Sequence, residues 1–164
     1  MEYSKISSSE DVNILTSMAY EIWTEHFGSM FDEKTLQKLV EVAQSKKTIL
    51  SQIEDGYQYF FIIENGKRMG YFAYKIDHCK DELFLSKIYI YFDQRGKGVG
   101  KKLLNHLERL AHHTGVKKIA LTVYYKNTNS IKTYEHWGFS NLGLIKRQFD
   151  NGLVFDDIKM EKPV

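Results

Sequence analysis

The spacing of apolar residues changes partway along the chain. Up to about residue 56, apolar side chains recur every three or four positions, as Leu15, Met18 and Ile22 do, and this period is typical of a helix with one buried face. It predicts three helices, which run from the Ser7-Ser8-Ser9 cap to about residue 27, from Asp32 to about residue 43, and over about residues 48–54. A short strand candidate, residues 3–6, precedes them.

Residues 57 onward are rich in β-branched and aromatic residues, which favour strands. Asn65-Gly66 and Asn151-Gly152 are hairpin signals. The predicted strands are residues 57–63, 68–76, 83–92, 118–124, 139–149 and 153–160, and the predicted helices follow Gly100 to about residue 113 and cover the 127–137 segment. Strands that arrive in a run predict an α+β fold with a mixed, mostly antiparallel sheet of about seven strands flanked by helices.

Composition limits the class of protein. The 164 residues suggest a single domain, 1–164, and a net charge of +2 with interspersed acids and bases argues against a nucleic-acid partner. Cys79 is the only cysteine, so an internal disulfide is excluded and a reducing compartment is favoured. There is no apolar leader or membrane span, and the histidines lack metal-ligand spacing. We therefore expect a cytoplasmic protein with no membrane association and no metal.

A glycine-rich stretch lies between the third strand of the run and the next helix. It reads Gln94, Arg95, Gly96, Lys97, Gly98, Val99, Gly100. Glycines let backbone N–H groups turn inward, and a helix N-terminus adds unpaired donors and a positive dipole end. With the charges of Arg95 and Lys97, this arrangement predicts a phosphate or pyrophosphate site. An ordinary tight strand-to-helix turn is the alternative interpretation.

Two familiar phosphate loops do not fit this stretch. A Walker A loop needs four residues between its glycines, but Gly96, Gly98 and Gly100 alternate. A dinucleotide fingerprint needs the spacing G-x-G-x-x-G and an acid on the next strand, whereas residues 118–124 carry none. The stretch instead resembles the acetyl-CoA pyrophosphate loop of the GNAT superfamily of N-acetyltransferases, through Gln94, Arg95 and the three glycines.

A second segment resembles the same family. Asn127 and Tyr134 match the family's asparagine at the end of a strand and its helical tyrosine, and Gly138-Phe139 matches the pair that follows. The resemblance covers about residues 57–160. The segment 18–31, and the chain as a whole, is most similar to the bacterial branch that includes spermidine/spermine acetyltransferases, and this similarity is looser than that of the two motifs. The family resemblance implies a GNAT-like fold and acetyl-CoA as the co-substrate.

The resemblance also implies roles for residues in both segments. The backbone of Ile88, Tyr89 and Ile90 would bind the pantetheine arm, and one N–H there would meet the acetyl oxygen. Asn127 would hold the same arm, and Ser130 would face the cofactor. Tyr134 would protonate the leaving thiolate, since a tyrosine stays protonated at neutral pH. The alternative interpretation of Tyr134 is that it packs its helix on the sheet. The alternative for Asn127 is an Asx turn or the N-cap of the helix that follows, which is compatible with binding the arm.

The general base and the acceptor pocket are less defined. Many GNAT enzymes place a glutamate on the central strand, but residues 83–87 contain no acid. We therefore assign no base; Ser86 could relay a proton through water, or the amine could arrive deprotonated. Trp23, His26 and Phe27 end the first helix and are the candidate acceptor-binding residues, although Trp23 also fits the apolar core stripe. Glu21 and Glu25 nearby fit either a cation site or an exposed helix face.

These observations favour an N-acetyltransferase that moves the acetyl group of acetyl-CoA to a primary amine of a small molecule, with polyamines as a candidate acceptor. Attack would be direct, in a ternary complex. Two alternatives stay open: an acyl-CoA-binding sensor without turnover, and an acetyltransferase for a protein or peptide. A homodimer formed through the late strands is an expectation at the level of the fold.

Overall fold

The computed structural model describes all 164 residues and contains seven strands and five helices. In chain order these are β1 (Glu2–Lys5), α1 (Ser9–Phe27), α2 (Glu33–Gln44), α3 (Lys46–Glu54), β2 (Gln58–Glu64), β3 (Lys67–Asp77), β4 (Glu82–Ile90), α4 (Val99–Thr114), β5 (Lys118–Tyr124), α5 (Thr128–His136), β6 (Ser140–Gln148) and β7 (Val154–Pro163).

The seven strands form one sheet in the order β1-β2-β3-β4-β5-β7-β6. The β1–β2, β2–β3, β5–β7 and β6–β7 pairs are antiparallel, and β4 and β5 are parallel. The predicted α+β fold with a mostly antiparallel seven-stranded sheet is therefore confirmed.

Contacts divide the chain into two compact units, one of Met1–Tyr74 and Lys87–Gly100 and the other of Lys75–Ser86 and Lys101–Val164. Strands β3 and β4 contribute residues to both units. The assignment of the whole chain to a single domain stays a prediction. None of the helices combines the length and the apolar character needed to cross a bilayer.

The core of the first unit forms between its helices and the strands β2 and β3. Helix α1 begins with a capping box, in which Ser8 Oγ accepts from the Asp11 N–H and the Asp11 carboxylate accepts from the Ser8 N–H, both at 3.0 Å. Its apolar stripe is buried with residues of α3 and the two strands. The cluster consists of Ile6, Val12, Leu15, Met18, Ala19, Ile22, Ile49, Tyr59, Phe61, Tyr71 and Ala73.

In the second unit, β5 is the buried central strand. It pairs with β7 over all seven of its residues, from Lys118 opposite Pro163 to Tyr124 opposite Asp157. Its parallel register with β4 covers only Glu82–Phe84 opposite Lys118–Ala120. The last six residues of β4 therefore lie outside this register.

Element boundaries differ from the prediction at two places that matter for the loop and the first unit. Strand β4 ends at Ile90 rather than at residue 92, because residues Phe92–Gln94 form a 3₁₀ turn closed by the Gln94 N–H on the Tyr91 carbonyl at 2.9 Å. Helix α3 begins at Lys46, two residues early, since Ser45 caps it by accepting from the Thr48 N–H.

Candidate active site

The glycine-rich loop of the first unit follows the 3₁₀ turn and leads directly into α4, which begins at Val99. Gly96 and Gly98 have φ of +73° and +80°, in the left-handed region that favours glycine. Nothing lies within 4 Å of the position that a Cβ would take at either residue. The loop therefore presents bare backbone and helix N-terminal donors to an open space, a geometry suited to an anion.

Two polar side chains of the loop pair with each other. Gln94 is buried, and its amide donates to Asp93 Oδ2 at 2.6 Å while its carbonyl oxygen accepts from Lys97 Nζ at 3.4 Å. Asp93 also pairs with Lys67 at 3.5 Å. Gln94 thus fixes the base of the loop, and the Lys97 ammonium provides a positive charge beside the glycines.

The Arg95 side chain points to α1. Its Nε donates to the Ile90 carbonyl at 2.9 Å, and its Nη1 and Nη2 donate to Glu25 Oε1 and Oε2 at 3.2 and 2.6 Å. The sequence identified Arg95 as a charge for the phosphate, and the pairing with Glu25, 70 residues away, had no signal in the sequence.

The end of β4 carries the three residues expected to bind pantetheine. Ile88, Tyr89 and Ile90 are half-buried. Here β3 lies against the β4 backbone, because a Cβ on Gly70 would sit 2.1 Å from the Tyr89 carbonyl oxygen and 2.9 Å from the Ile90 Cα. The close approach depends on the absence of a side chain at Gly70 and fixes the position of this backbone.

The candidate acceptor residues gather around Tyr89. The rings of Trp23 and Phe27 lie 5.1 and 6.5 Å from the Tyr89 ring, and His26 packs edge-on against Phe27 at 4.5 Å. Trp23 is buried, which supports its core interpretation, and Phe27 is buried as well. Burial of the imidazole lowers the pKa of His26, and the nearby Arg95 lowers it further.

Glu21 and Glu25 both accept hydrogen bonds from side chains of the first unit. Tyr91 donates its hydroxyl hydrogen to Glu21 Oε2 at 3.2 Å, one helical turn before the Glu25 contact. Burial and this carboxylate raise the pKa of Tyr91 to about 12. The interpretation of Glu21 and Glu25 as an ordinary exposed helix face was therefore incomplete, because both carboxylates accept hydrogen bonds from the chain around the 3₁₀ turn.

A cleft of about 680 Å³ also lies in the first unit, and Glu21 is the one residue considered from the sequence as part of a site that lines it. Its walls carry two acids and two bases. The lining residues are Ile14, Ser17, Met18, Glu21, Lys67, Arg68, Tyr91 and Asp93.

In the second unit, Asn127 is buried and caps α5. Its Oδ1 accepts from the Ser130 N–H at 3.3 Å, and its carbonyl oxygen accepts from the Ile131 N–H. Ser130 is half-buried in the first turn. The capping role predicted as an alternative is thus present, and it involves the side-chain oxygen of Asn127 rather than its nitrogen.

Tyr134 lies two turns along α5 on an aromatic cluster. Its ring packs edge-on against Trp137 at 5.9 Å and Phe139 at 5.7 Å, and its carbonyl oxygen accepts from the Phe139 N–H. Burial raises the pKa of the Tyr134 hydroxyl. The hydroxyl therefore stays protonated throughout the physiological pH range, as a proton donor requires.

Strand β4 carries a buried lysine, Lys87. Lys87 Nζ donates to Gln52 Oε1 at 2.8 Å and lies 5.3 Å above the Tyr59 ring. The nearest acid along the strand, Glu82, is buried beside Lys118 at 3.7 Å. No group of three or more histidines, cysteines or acids is placed to hold a metal ion.

Sequence reasoning missed a buried carboxylate in the second unit. Asp157 on β7 is fully buried, and its Oδ2 lies 2.8 Å from Arg147 Nε on β6. Burial raises the pKa of Asp157, against the opposing effect of Arg147. An acid within an otherwise strand-forming run was the only sequence signal.

The chain is similar in sequence and in fold to several known proteins. A model described as the acetyltransferase (GNAT) family matches residues 16–139. The [ribosomal protein bS18]-alanine N-acetyltransferase of Escherichia coli is 31% identical over 105 residues, which are 64% of this chain and 69% of that protein. The spermine/spermidine N(1)-acetyltransferase of Bacillus subtilis is 25% identical over 141 residues, 80% of this chain and 88% of that protein.

Other curated relatives match over less of their length. The alignments with the uncharacterized N-acetyltransferases YycN and YdgE of Bacillus subtilis, 32% and 30% identical, cover 42% and 55% of this chain and span 44% and 60% of those proteins. Among solved structures, the PaiA N-acetyltransferase of Thermoplasma acidophilum in complex with coenzyme A superimposes with a TM-score of 0.77 at 21% identity, over the full length of both chains. At this identity the likeness shows the fold.

Proposed function

The chain belongs to the acetyltransferase (GNAT) family, and from this premise we propose that it transfers the acetyl group of acetyl-CoA to a primary amine. The observation that carries the proposal is the loop between β4 and α4. Its two left-handed glycines and the N-terminus of α4 present backbone to an open space, after the strand that the family uses for pantetheine, and this supports the proposal. The diphosphate of CoA fits such a surface because it is an extended anion with several acceptor oxygens.

In this proposal, the loop residues 94–100 bind the diphosphate through backbone N–H groups and Lys97. The backbone of Ile88, Tyr89 and Ile90 binds the pantetheine arm. The short register between β4 and β5 supports this role, because it covers none of these three residues. An N–H of the same segment would donate to the acetyl oxygen as negative charge develops on it.

The reaction follows from these contacts. The amine nitrogen attacks the thioester carbon, a C–N bond forms, and the C–S bond breaks. Tyr134 gives its proton to the departing sulfur, and water carries the proton that the acetylated nitrogen loses back to the Tyr134 oxygen. Asn127 and Ser130 bind the pantetheine arm. Since residues 83–87 carry no carboxylate, the amine loses its proton before attack or to ordered water.

The acceptor we propose is a small primary amine, with polyamines as the first candidates. The similarity to the spermine/spermidine enzyme of Bacillus subtilis supports this choice. The similarity to the Escherichia coli enzyme that acts on ribosomal protein bS18 favours a second candidate, the N-terminus of a protein. A CoA-binding sensor without turnover is the remaining alternative.

The test is release of free thiol from acetyl-CoA with a panel of amines: spermidine, spermine, single amino acids and a peptide with N-terminal alanine. We expect turnover with at least one amine. Tyr134→Phe should lower kcat about 100-fold and leave the Kd for acetyl-CoA unchanged, because only proton donation is removed. Tyr20→Phe, at an exposed tyrosine of α1, is the matched control and should behave as wild type.

The outcomes separate the candidate functions. Turnover with the peptide alone would replace the polyamine proposal with a protein acceptor. Binding of acetyl-CoA without turnover on any amine would support a sensor. No binding of acetyl-CoA would contradict the assignment of the loop.

A further inference from the structure

The Arg95 guanidinium joins three parts of the first unit. Its Nε donates to the carbonyl of Ile90, the last residue of β4, and its two terminal nitrogens donate to the two oxygens of Glu25 on α1. The backbone of Arg95 itself begins the glycine-rich loop, because its N–H closes the 3₁₀ turn on the Phe92 carbonyl at 3.1 Å. Strand end, loop and helix are thus connected through one side chain.

This pairing leaves Arg95 poorly suited to bind a phosphate. A planar guanidinium matches a carboxylate with two parallel hydrogen bonds, and such bidentate pairs are the strong ones. Glu25 neutralises the charge of Arg95, and the third bond to Ile90 fixes the guanidinium at the end of β4. The neighbouring Lys97 donates to the neutral Gln94 side chain at 3.4 Å and supplies the positive charge instead.

Packing holds helix α1, and with it Glu25, in a fixed position for the contact with Arg95. Trp23 and Phe27, on either side of Glu25, are buried against each other with ring centroids 4.9 Å apart. One turn earlier, Glu21 accepts from the Tyr91 hydroxyl, so the helix contacts the chain on both sides of the 3₁₀ turn. The position of the loop therefore depends on a helix that lies far from it in sequence.

We propose that Glu25 is a positioning residue for the CoA-binding loop, and that Arg95 acts by linking this loop and the end of β4 to Glu25, not as a ligand of the diphosphate. This inference rests on the proposed function. It assigns to Glu25 a role in cofactor affinity that its charge alone would oppose, since a carboxylate near the loop repels an anion.

The sign of one substitution tests the proposal. Glu25→Gln removes a negative charge, so simple electrostatics predicts tighter CoA binding. Loss of positioning predicts weaker binding. If the whole stabilisation from a partly exposed ion pair is lost, the Kd should rise about fivefold. The measurement is the Kd of CoA by calorimetry for wild type, Glu25→Gln, Arg95→Gln and the double variant.

We expect each single variant to weaken CoA binding and the double variant to be no weaker than either one, because the two residues act as a unit. Glu41→Gln, at an exposed glutamate of α2, removes the same charge elsewhere and should leave the Kd at the wild-type value. Thermal unfolding of each variant verifies that it is folded.

Equal or tighter CoA binding by Glu25→Gln would overturn the proposal. So would weaker binding by Arg95→Gln together with tighter binding by Glu25→Gln, which would show that Arg95 leaves Glu25 for the phosphate. Failure of wild type to bind CoA would instead contradict the proposed function, so the two failures are distinguishable.

Discussion

Replacing Gly70 by alanine should displace the backbone that we propose binds pantetheine. An added Cβ would lie 2.1 Å from the Tyr89 carbonyl oxygen and 2.9 Å from the Ile90 Cα, both of them backbone atoms. Ordinary van der Waals contact begins at 3.4 Å, so β3 and the end of β4 must separate by about 1 Å. The φ of Gly70 is not in the left-handed region, so the clash is the only penalty.

The magnitude follows from the contacts that would be lost. Overpacking of this kind costs about 1–3 kcal/mol of stability. If the shift removes two backbone hydrogen bonds to pantetheine at about 1 kcal/mol each, the Kd for acetyl-CoA should rise about thirtyfold. Calorimetric titration of the folded variant with acetyl-CoA measures this, and urea unfolding gives the stability.

Gly66→Ala is the matched control on the same hairpin. Gly66 has a φ of +72° and nothing within 4 Å of a Cβ. Its substitution costs about 1–2 kcal/mol through the left-handed backbone and moves no neighbouring strand. Both variants should therefore lose stability, but only Gly70→Ala should lose affinity. A folded Gly70→Ala protein that binds acetyl-CoA as wild type does would refute the assignment of the pantetheine segment.

Three further predictions test the loop, a titrating histidine and the buried acid. Gly98→Glu should abolish measurable binding of acetyl-CoA in a folded protein, because it places a bulky anion at a left-handed position beside the diphosphate; retained affinity in calorimetry would contradict this. Because the pKa of His26 is lowered in the folded chain, the unfolded chain binds more protons than the folded chain as the pH falls below about 6.5. Stability should therefore be greatest above that pH and fall as the pH drops. His26→Gln should flatten a plot of thermal midpoint against pH, and an unchanged plot would contradict this. Arg147→Ala should lower the free energy of unfolding by about 3 kcal/mol, since it leaves the Asp157 carboxylate buried without its charged partner. In urea unfolding, the double variant with Asp157→Asn should regain part of this loss. An equal loss in the single and the double variant would argue against the pair.

Local rules were sufficient for much of the fold. The glycine loop was predictable because alternating glycines after a strand and before a helix leave few backbone solutions, and Gly96 and Gly98 have the positive φ that this requires. The capping role of Asn127 followed from its place before a helix in the same way. The end of β4 was predicted two residues late, because Tyr91 and Phe92 favour strands while hydrogen bonds of the 3₁₀ turn decide their conformation.

The partners of charged side chains were not predictable, and the reason is physical. The sequence gives the charge of an arginine but not the direction of its side chain. An arginine in a phosphate-binding motif is therefore predicted to be a phosphate ligand. Glu25 is fixed by the burial of Trp23 and Phe27 on α1, and only the folded chain brings its carboxylate to Arg95. The same holds for Asp157 and Arg147, which lie on paired strands whose register includes a bulge between Asn141 and Leu144. A one-residue change of register would move a side chain to the opposite face, so the pairing depends on a detail that no local pattern contains. The functional weight of such residues therefore has to be tested by substituting both members of a pair.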